Sequence, residues 1–217
     1  DLPRLIRRQR QMCIRDSYQP SDFIHEIKDV FSGYKIRLIT LNKSYRSTQP
    51  ITNFAKALLP KHDHIQAFNR AGDMPEVLTV SSADATASLS RLVTRLLTVD
   101  STVAILTKDA KTAAQLYATL KLDTPVTLLS ANDHSLKNGC VILPVYLAKG
   151  LEFDAVVGWD ISATTYRNEA DRDILYTLCS RALHHLTLVT LDAPSPLITA
   201  LPTDLYRRTG DASEARV

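Results

Sequence analysis

From residue 36 onward, short runs rich in Val, Ile and Leu alternate with stretches whose apolar side chains recur every three or four positions. The apolar runs fall at 36–41, 77–81, 103–107, 126–130, 140–146, 155–160 and 186–191. They are largely continuous, the pattern of strands covered on both faces. The helical periods fall at 50–59, 85–97, 110–121 and 170–185. This alternation predicts an α/β fold, a mostly parallel β-sheet flanked by helices. No internal repeat or low-complexity linker interrupts it.

The two ends depart from the pattern. Residues 1–17 carry Arg4, Arg7, Arg8, Arg10 and Arg15 without periodicity, and 207–217 are polar. The expected organisation is a non-native or disordered lead at 1–17, one domain over 18–206 and a frayed tail at 207–217. Ser21 or Asp22 is placed to cap a short helix running to Phe31.

Composition narrows the class only a little. With 217 residues, 45% hydrophobic and 23% charged, the chain has ample material for one core. A net charge of +3 permits nucleic-acid contact without arguing for it. Cys13, Cys140 and Cys179 are far apart and form no CxxC pair, so reduced thiols and a cytoplasmic setting are expected. No apolar run approaches the roughly 20 residues that span a bilayer, and no signal peptide is visible, so no membrane partner is expected.

Three segments carry candidate chemistry. Ligands of open α/β sheets sit outside the carboxyl ends of strands, and two of the segments follow predicted strands. In the first, Tyr45-Arg46-Ser47-Thr48 leads into a helix with Pro50 near its first turn and Ser47 or Thr48 as cap. A ring beside a guanidinium offers a flat face for a base and a fork for phosphate. A solvated arginine beside a half-buried tyrosine is the plain alternative.

The second segment, Tyr146-Leu147-Ala148-Lys149-Gly150-Leu151-Glu152-Phe153-Asp154, places a lysine, a glycine and two acids between strands. Gly150 allows a tight turn or close approach to a ligand, and Glu152 can be aimed at a sugar hydroxyl. A surface turn with a solvated acid is the alternative. In the third, helical spacing sets Arg181 on the stripe of Ile174 and Leu178, where it needs an anion. A phosphate at a domain edge or a nearby acid, Asp171 or Asp173, would equally supply one.

Other groups need no special role. His62-Asp63-His64 lacks a third ligand, so no metal is expected there. His184 and His185 would close the third segment's helix, where a cation suits the dipole. Ser180 has no base at readable spacing, and Trp159 reads as a strand core residue.

Taken in order, SYRS, AKGLEFD and LYTLCSRAL resemble motifs IV, V and VI of superfamily-1 helicases of the UvrD/Rep type, over about residues 41 to 191. The string VILPVYLAKGLEFDAVV is most similar to the helicase IV (HelD) branch. The resemblance implies a second RecA-like motor domain, of P-loop NTPase type but lacking the P-loop itself. It implies that Tyr45 stacks on adenine, Arg46 reaches the γ-phosphate and Arg181 is the arginine finger. Gly150 and Glu152 would lie near phosphates and ribose, and Tyr146 and Lys149 on the nucleic-acid side. A finger is worth roughly 10³–10⁵ in rate, or about 4–7 kcal/mol of barrier.

Tyr146 stands where many relatives have histidine, and Pro144 replaces the usual threonine. The chain has no GxxxxGK[ST] loop and no Asp-Glu pair placed for Mg²⁺. ATP with Mg²⁺ is therefore expected to be held mainly by an N-terminal RecA-like domain of the same protein, this chain being inactive alone. Where such a helicase has Gly-Asp-x-x-Gln, the chain reads Gln11-Met12-Cys13-Ile14-Arg15-Asp16-Ser17, which suggests a truncated gene with a non-native lead. The expected function is an ATP-dependent DNA helicase or translocase motor running on single-stranded DNA. The alternatives are the ATPase half of an RNA-polymerase-binding recycling factor, or a non-catalytic interaction module.

Overall fold

Val103, Ala104, Ile105 and Leu106 are successive residues with no exposed surface, and they pack alternately into two separate cores. A strand sealed on both faces is what an unbroken apolar run demands. The computed structural model describes residues 43–59, 66–122, 124–130 and 138–210, all within one compact unit, Asn42–Val217. The arginine-rich lead, the helix to Phe31, the strand at 36–41 and the His62-Asp63-His64 triplet lie outside the described residues.

In chain order the elements are β1 (Lys43–Ser44), α1 (Gln49–Ala57), β2 (Gln66–Ala67), β3 (Glu76–Val80), α2 (Ala85–Leu96), β4 (Thr102–Thr107) and α3 (Ala110–Thr119). There follow β5 (Val126–Leu128), β6 (Gly139–Pro144), a 3₁₀ turn (Val145–Ala148) and β7 (Phe153–Gly158). The chain continues with α4 (Asp171–Cys179), β8 (Ala182–Leu191), α5 (Pro196–Thr199), a second 3₁₀ turn (Thr203–Leu205) and β9 (Arg207–Thr209). Seven strands form one sheet in the order β5-β6-β4-β7-β8-β3-β9, and every pairing in it is parallel. β1 and β2 make a separate parallel pair.

One face of the sheet is covered by α1, α4 and α5, which bury Ile51, Phe54, Leu175, Leu178 and Ile198 against Ala104, Leu106 and Val156. The other is covered by α2 and α3, whose Leu89, Val93 and Leu116 meet Val103, Ile105 and Val157. Each large apolar side chain so buried contributes about 1.5–3 kcal/mol. This is the RecA-like architecture expected, with the sheet wholly parallel. Trp159 is buried in the second core, as read from its apolar run.

Local signals account for the helix starts. The Asp109 carboxylate accepts the Thr112 amide at 2.8 Å and caps α3. Thr48 occupies the N-cap of α1 with Pro50 in the first turn, but its hydroxyl makes no capping bond.

The helix expected at 170–185 is shorter. It ends at Cys179, and β8 begins at Ala182, four residues before the expected strand. The cause is tertiary: Ala182 and His185 find partners at Phe153 and Ala155 of β7, and this pairing outcompetes a continued helix. His184 and His185 are therefore strand residues and close no helix. The polar tail also begins later than expected, because Arg207–Thr209 pairs in parallel with β3.

Candidate functional site

The motif residues gather where β7 and β8 begin. Phe153 pairs with Ala182 in register, so the residues just before them, Glu152 and Arg181, sit side by side at the amino edge of the sheet. For Glu152 this differs from the expected place at a carboxyl end, while the strand expected before Tyr45 lies outside the described residues. The chain leaves the carboxyl end of β6 at Pro144, turns through Val145–Ala148, and returns to the opposite edge before entering β7. Gly150 makes that return with φ +88°, the left-handed region that favours glycine, and no heavy atom lies within 4 Å of where its Cβ would be.

The Tyr45-Arg46 loop is fastened to the same edge. Ser47 donates its hydroxyl to the Ala182 carbonyl at 2.6 Å, and the Thr48 amide donates to the Leu183 carbonyl at 3.1 Å. That docking brings Arg46 to Glu152, with Nε 2.5 Å from Oε1. Both side chains are about two-fifths exposed, at 40% and 43%. A pair so wetted contributes only about 0–1 kcal/mol, so Arg46 can exchange this carboxylate for another anion at little cost. Glu152, expected near a sugar hydroxyl, has Arg46 as its partner in this structure.

Arg181 is not on the helix. It follows the C-cap Ser180, and its guanidinium is held by carbonyls at the turn: Nε donates to Thr177 at 3.1 Å and Nη1 to Leu151 at 3.4 Å. Nη2 donates to the Ser180 hydroxyl at 3.0 Å. Neither candidate acid pairs with it: Asp173 is exposed, and Asp171 instead meets Lys108 at 2.7 Å. Burial, and then the neighbouring charge of Arg46, pull Arg181 below its ordinary value, while Glu152 and Tyr176 oppose them. It stays cationic.

Arg46, Ser47, Lys56, Tyr176, Ser180 and Arg181 line one cavity of ≈110 Å³. It holds three cations, and none of its described lining residues is acidic. Two guanidinium groups lining one hollow repel each other, Glu152 beside Arg46 offsets part of that repulsion, and forks of this kind suit phosphate oxygens. A larger cavity of ≈370 Å³ opens where β3 and β9 begin, but its lining mixes Asp73, Glu76, Arg95 and His185 and includes none of the motif residues. There His185 bridges Asp100 at 2.8 Å and Asp73 at 3.2 Å.

Tyr45 is 62% exposed, with its ring 4.9 Å from that of Phe68. Tyr146 is equally exposed and Lys149 is exposed beside it, whereas Pro144 is buried within β6. Pro144 is thus a buried strand residue. Phe68, Arg70 and Lys56 were not singled out by the sequence reading. Only Phe68 carried a signal, a lone aromatic in a polar stretch.

Cys140 and Cys179 are buried and do not line the cavity. Burial pushes the Cys140 thiol up to about 12 and raises Cys179 further, so neither forms a thiolate near neutrality.

Comparison with known proteins gives the chain its family. Residues 139–189, which include Tyr146, Lys149, Gly150, Glu152 and Arg181, match the model of the UvrD-like helicase C-terminal domain. The chain is similar to the C-terminal domain of a possible DNA helicase from Lactobacillus plantarum WCFS1, with 35% identity and a TM-score of 0.66. That match covers 76% of this chain and 98% of the other. The C-terminal domain of the DEAD-box protein Dbp5 aligns at 16% identity and a TM-score of 0.43, over 64% of this chain and 91% of its own. The arterivirus nonstructural protein 10 helicase, solved with DNA, aligns at 11% and 0.43, over 74% and 37%. No curated protein sequence matches the chain. The chain belongs to the UvrD-like helicase C-terminal domain family. Among the described residues no helix is long and apolar enough to cross a membrane.

Proposed function

We propose that this domain is the second motor half of an ATP-dependent superfamily-1 DNA helicase or translocase, of the helicase IV type. The observation that carries the reading is the convergence of Arg46 and Arg181 on one small cavity with no acidic lining among the described residues. In the working enzyme Arg46 leaves Glu152 and takes a γ-phosphate oxygen. Arg181, held by the Thr177 and Leu151 carbonyls, presents its fork to the charge that develops during transfer. Tyr45 supplies the exposed ring against which adenine stacks.

The donor set fits a triphosphate and does not fit a metal ion. Three cations surround the cavity, so Mg²⁺ is assigned to an N-terminal RecA-like domain across the cleft. Closing and opening of that cleft would move the two halves along single-stranded DNA, with Tyr146 and Lys149 on the exposed turn as strand contacts.

The reading is tested on the protein that joins this domain to its partner motor domain. ATP turnover that rises when single-stranded DNA is added, together with unwinding of a tailed duplex, supports it. Turnover indifferent to DNA but coupled to release of RNA polymerase moves the assignment to a polymerase-recycling factor. No turnover under either condition leaves a non-catalytic interaction module.

A further inference from the structure

Residues 68–73 cross the Tyr45–Gln49 loop and touch it along its length. Just before them, β2 pairs with β1, the two residues that precede Tyr45. The Phe68 ring lies against that of Tyr45. Arg70 Nη1 donates to the Arg46 carbonyl at 3.2 Å, and its Nη2 lies 3.3 Å from both ring nitrogens of His184 on β8. The Arg70 carbonyl accepts the Gln49 amide at 2.8 Å. Gly72 passes so close to Thr48 that a Cβ there would meet Thr48 Cγ2 at 2.3 Å. Beyond it, Asp73 reaches His185.

We propose that residues 68–73 form a positioning strap that fixes Tyr45 and Arg46 relative to Arg181, with Phe68 and Arg70 as its positioning residues. The proposal rests on the nucleotide reading above for its purpose, but not for its structural content. Ser47 and Thr48 fasten the end of this loop to β8, but the ring of Tyr45 and the guanidinium of Arg46 are exposed beyond that anchor. Effective catalysis requires such groups in place before substrate arrives. The strap supplies this from outside the motifs. Phe68 restrains the ring against which a base would stack. Arg70 ties the backbone of Arg46 to β8, three residues beyond Arg181, so the two candidate phosphate ligands share one support. Phe68 and Arg70 therefore act on different quantities, base binding and phosphate transfer.

The test has two arms. Amide hydrogen exchange on this chain reads the strap directly. Phe68→Ala and Arg70→Ala should each speed exchange at Thr48 and Gln49 by about tenfold or more, with the amides of β4 unchanged. Unchanged exchange at Thr48 and Gln49 overturns the proposal. Kinetics on the protein that includes the partner motor domain read its purpose. Phe68→Ala should raise KM for ATP about three- to tenfold with kcat within about twofold, and Phe68→Tyr should restore it. Arg70→Ala should lower kcat about tenfold with KM little changed. Equal effects of the two variants on KM and kcat would mean general destabilisation and overturn the positioning roles. A wild-type protein without turnover overturns the nucleotide reading, while the exchange arm still decides the strap.

Discussion

The guanidinium of Arg46 meets the Glu152 carboxylate at 2.5 Å across the amino edge of the sheet, and the partly buried Arg181 lines the same cavity as Arg46. The acid thus occupies a guanidinium that phosphate would claim. Because both partners are substantially exposed, the pair adds little to the fold. Glu152→Gln should change the unfolding free energy by less than about 1 kcal/mol in urea titration. A loss of several kcal/mol would make the pair structural and remove the argument that Arg46 is free to exchange partners.

At the opposite edge, Lys108 and Asp171 form a tighter contact. The Asp171 side chain is 6% exposed and also accepts the Arg167 and Asn168 amides at 2.9 and 3.0 Å. Burial alone would raise its carboxyl, but the Lys108 ammonium and those amides outweigh it and hold it below the ordinary 3.8. Lys108→Met leaves a buried acid without its cation and should cost about 2–3 kcal/mol at pH 7.

The acid dependence of that pair has a definite sign. The folded value of Asp171 lies below the unfolded one, so its stabilisation is complete above the ordinary value of 3.8 and is lost as pH falls through the folded value. The difference in stability between wild type and Lys108→Met should therefore shrink in acid. Denaturation series at pH 7 and at about pH 3 measure it.

Two glycines separate steric from conformational demands. A Cβ on Gly158 would lie 2.8 Å from Leu188 Cδ2 and 3.1 Å from Leu178 Cδ2, between β8 and α4. Gly158→Ala should cost about 1–3 kcal/mol by overpacking. Gly150→Ala meets no atom but takes a left-handed φ, and should cost about 1–2 kcal/mol. Thermal melts of the two variants compare the effects.

The sheet was legible in the sequence because its strands are sealed on both faces, so runs such as Val103–Leu106 are continuously apolar and cannot be mistaken for amphipathic helices. The motif residues were legible for their chemical types, but their settings were not. LYTLCSRALHHLTL keeps helical spacing past Cys179, and only pairing with Phe153 and Ala155 decides that Ala182 begins a strand. Arg181 therefore occupies a turn, and the acids nearest in sequence are not its partners. The Arg46–Glu152 contact joins residues far apart in sequence, and no local period reports it. Phe68 and Arg70 are isolated side chains whose meaning comes from the loop they cross.

The central claim is that Arg46 and Arg181 serve one phosphate site. A double-variant cycle on kcat tests it most directly, comparing Arg46→Ala, Arg181→Ala and the double variant in the protein that includes the partner motor domain. Arg181→Ala should lower kcat by about 10³-fold or more while nucleotide binding changes much less. The double variant should fall well short of the product of the two single losses. A near-wild-type kcat for Arg181→Ala, or losses that multiply independently, would contradict it.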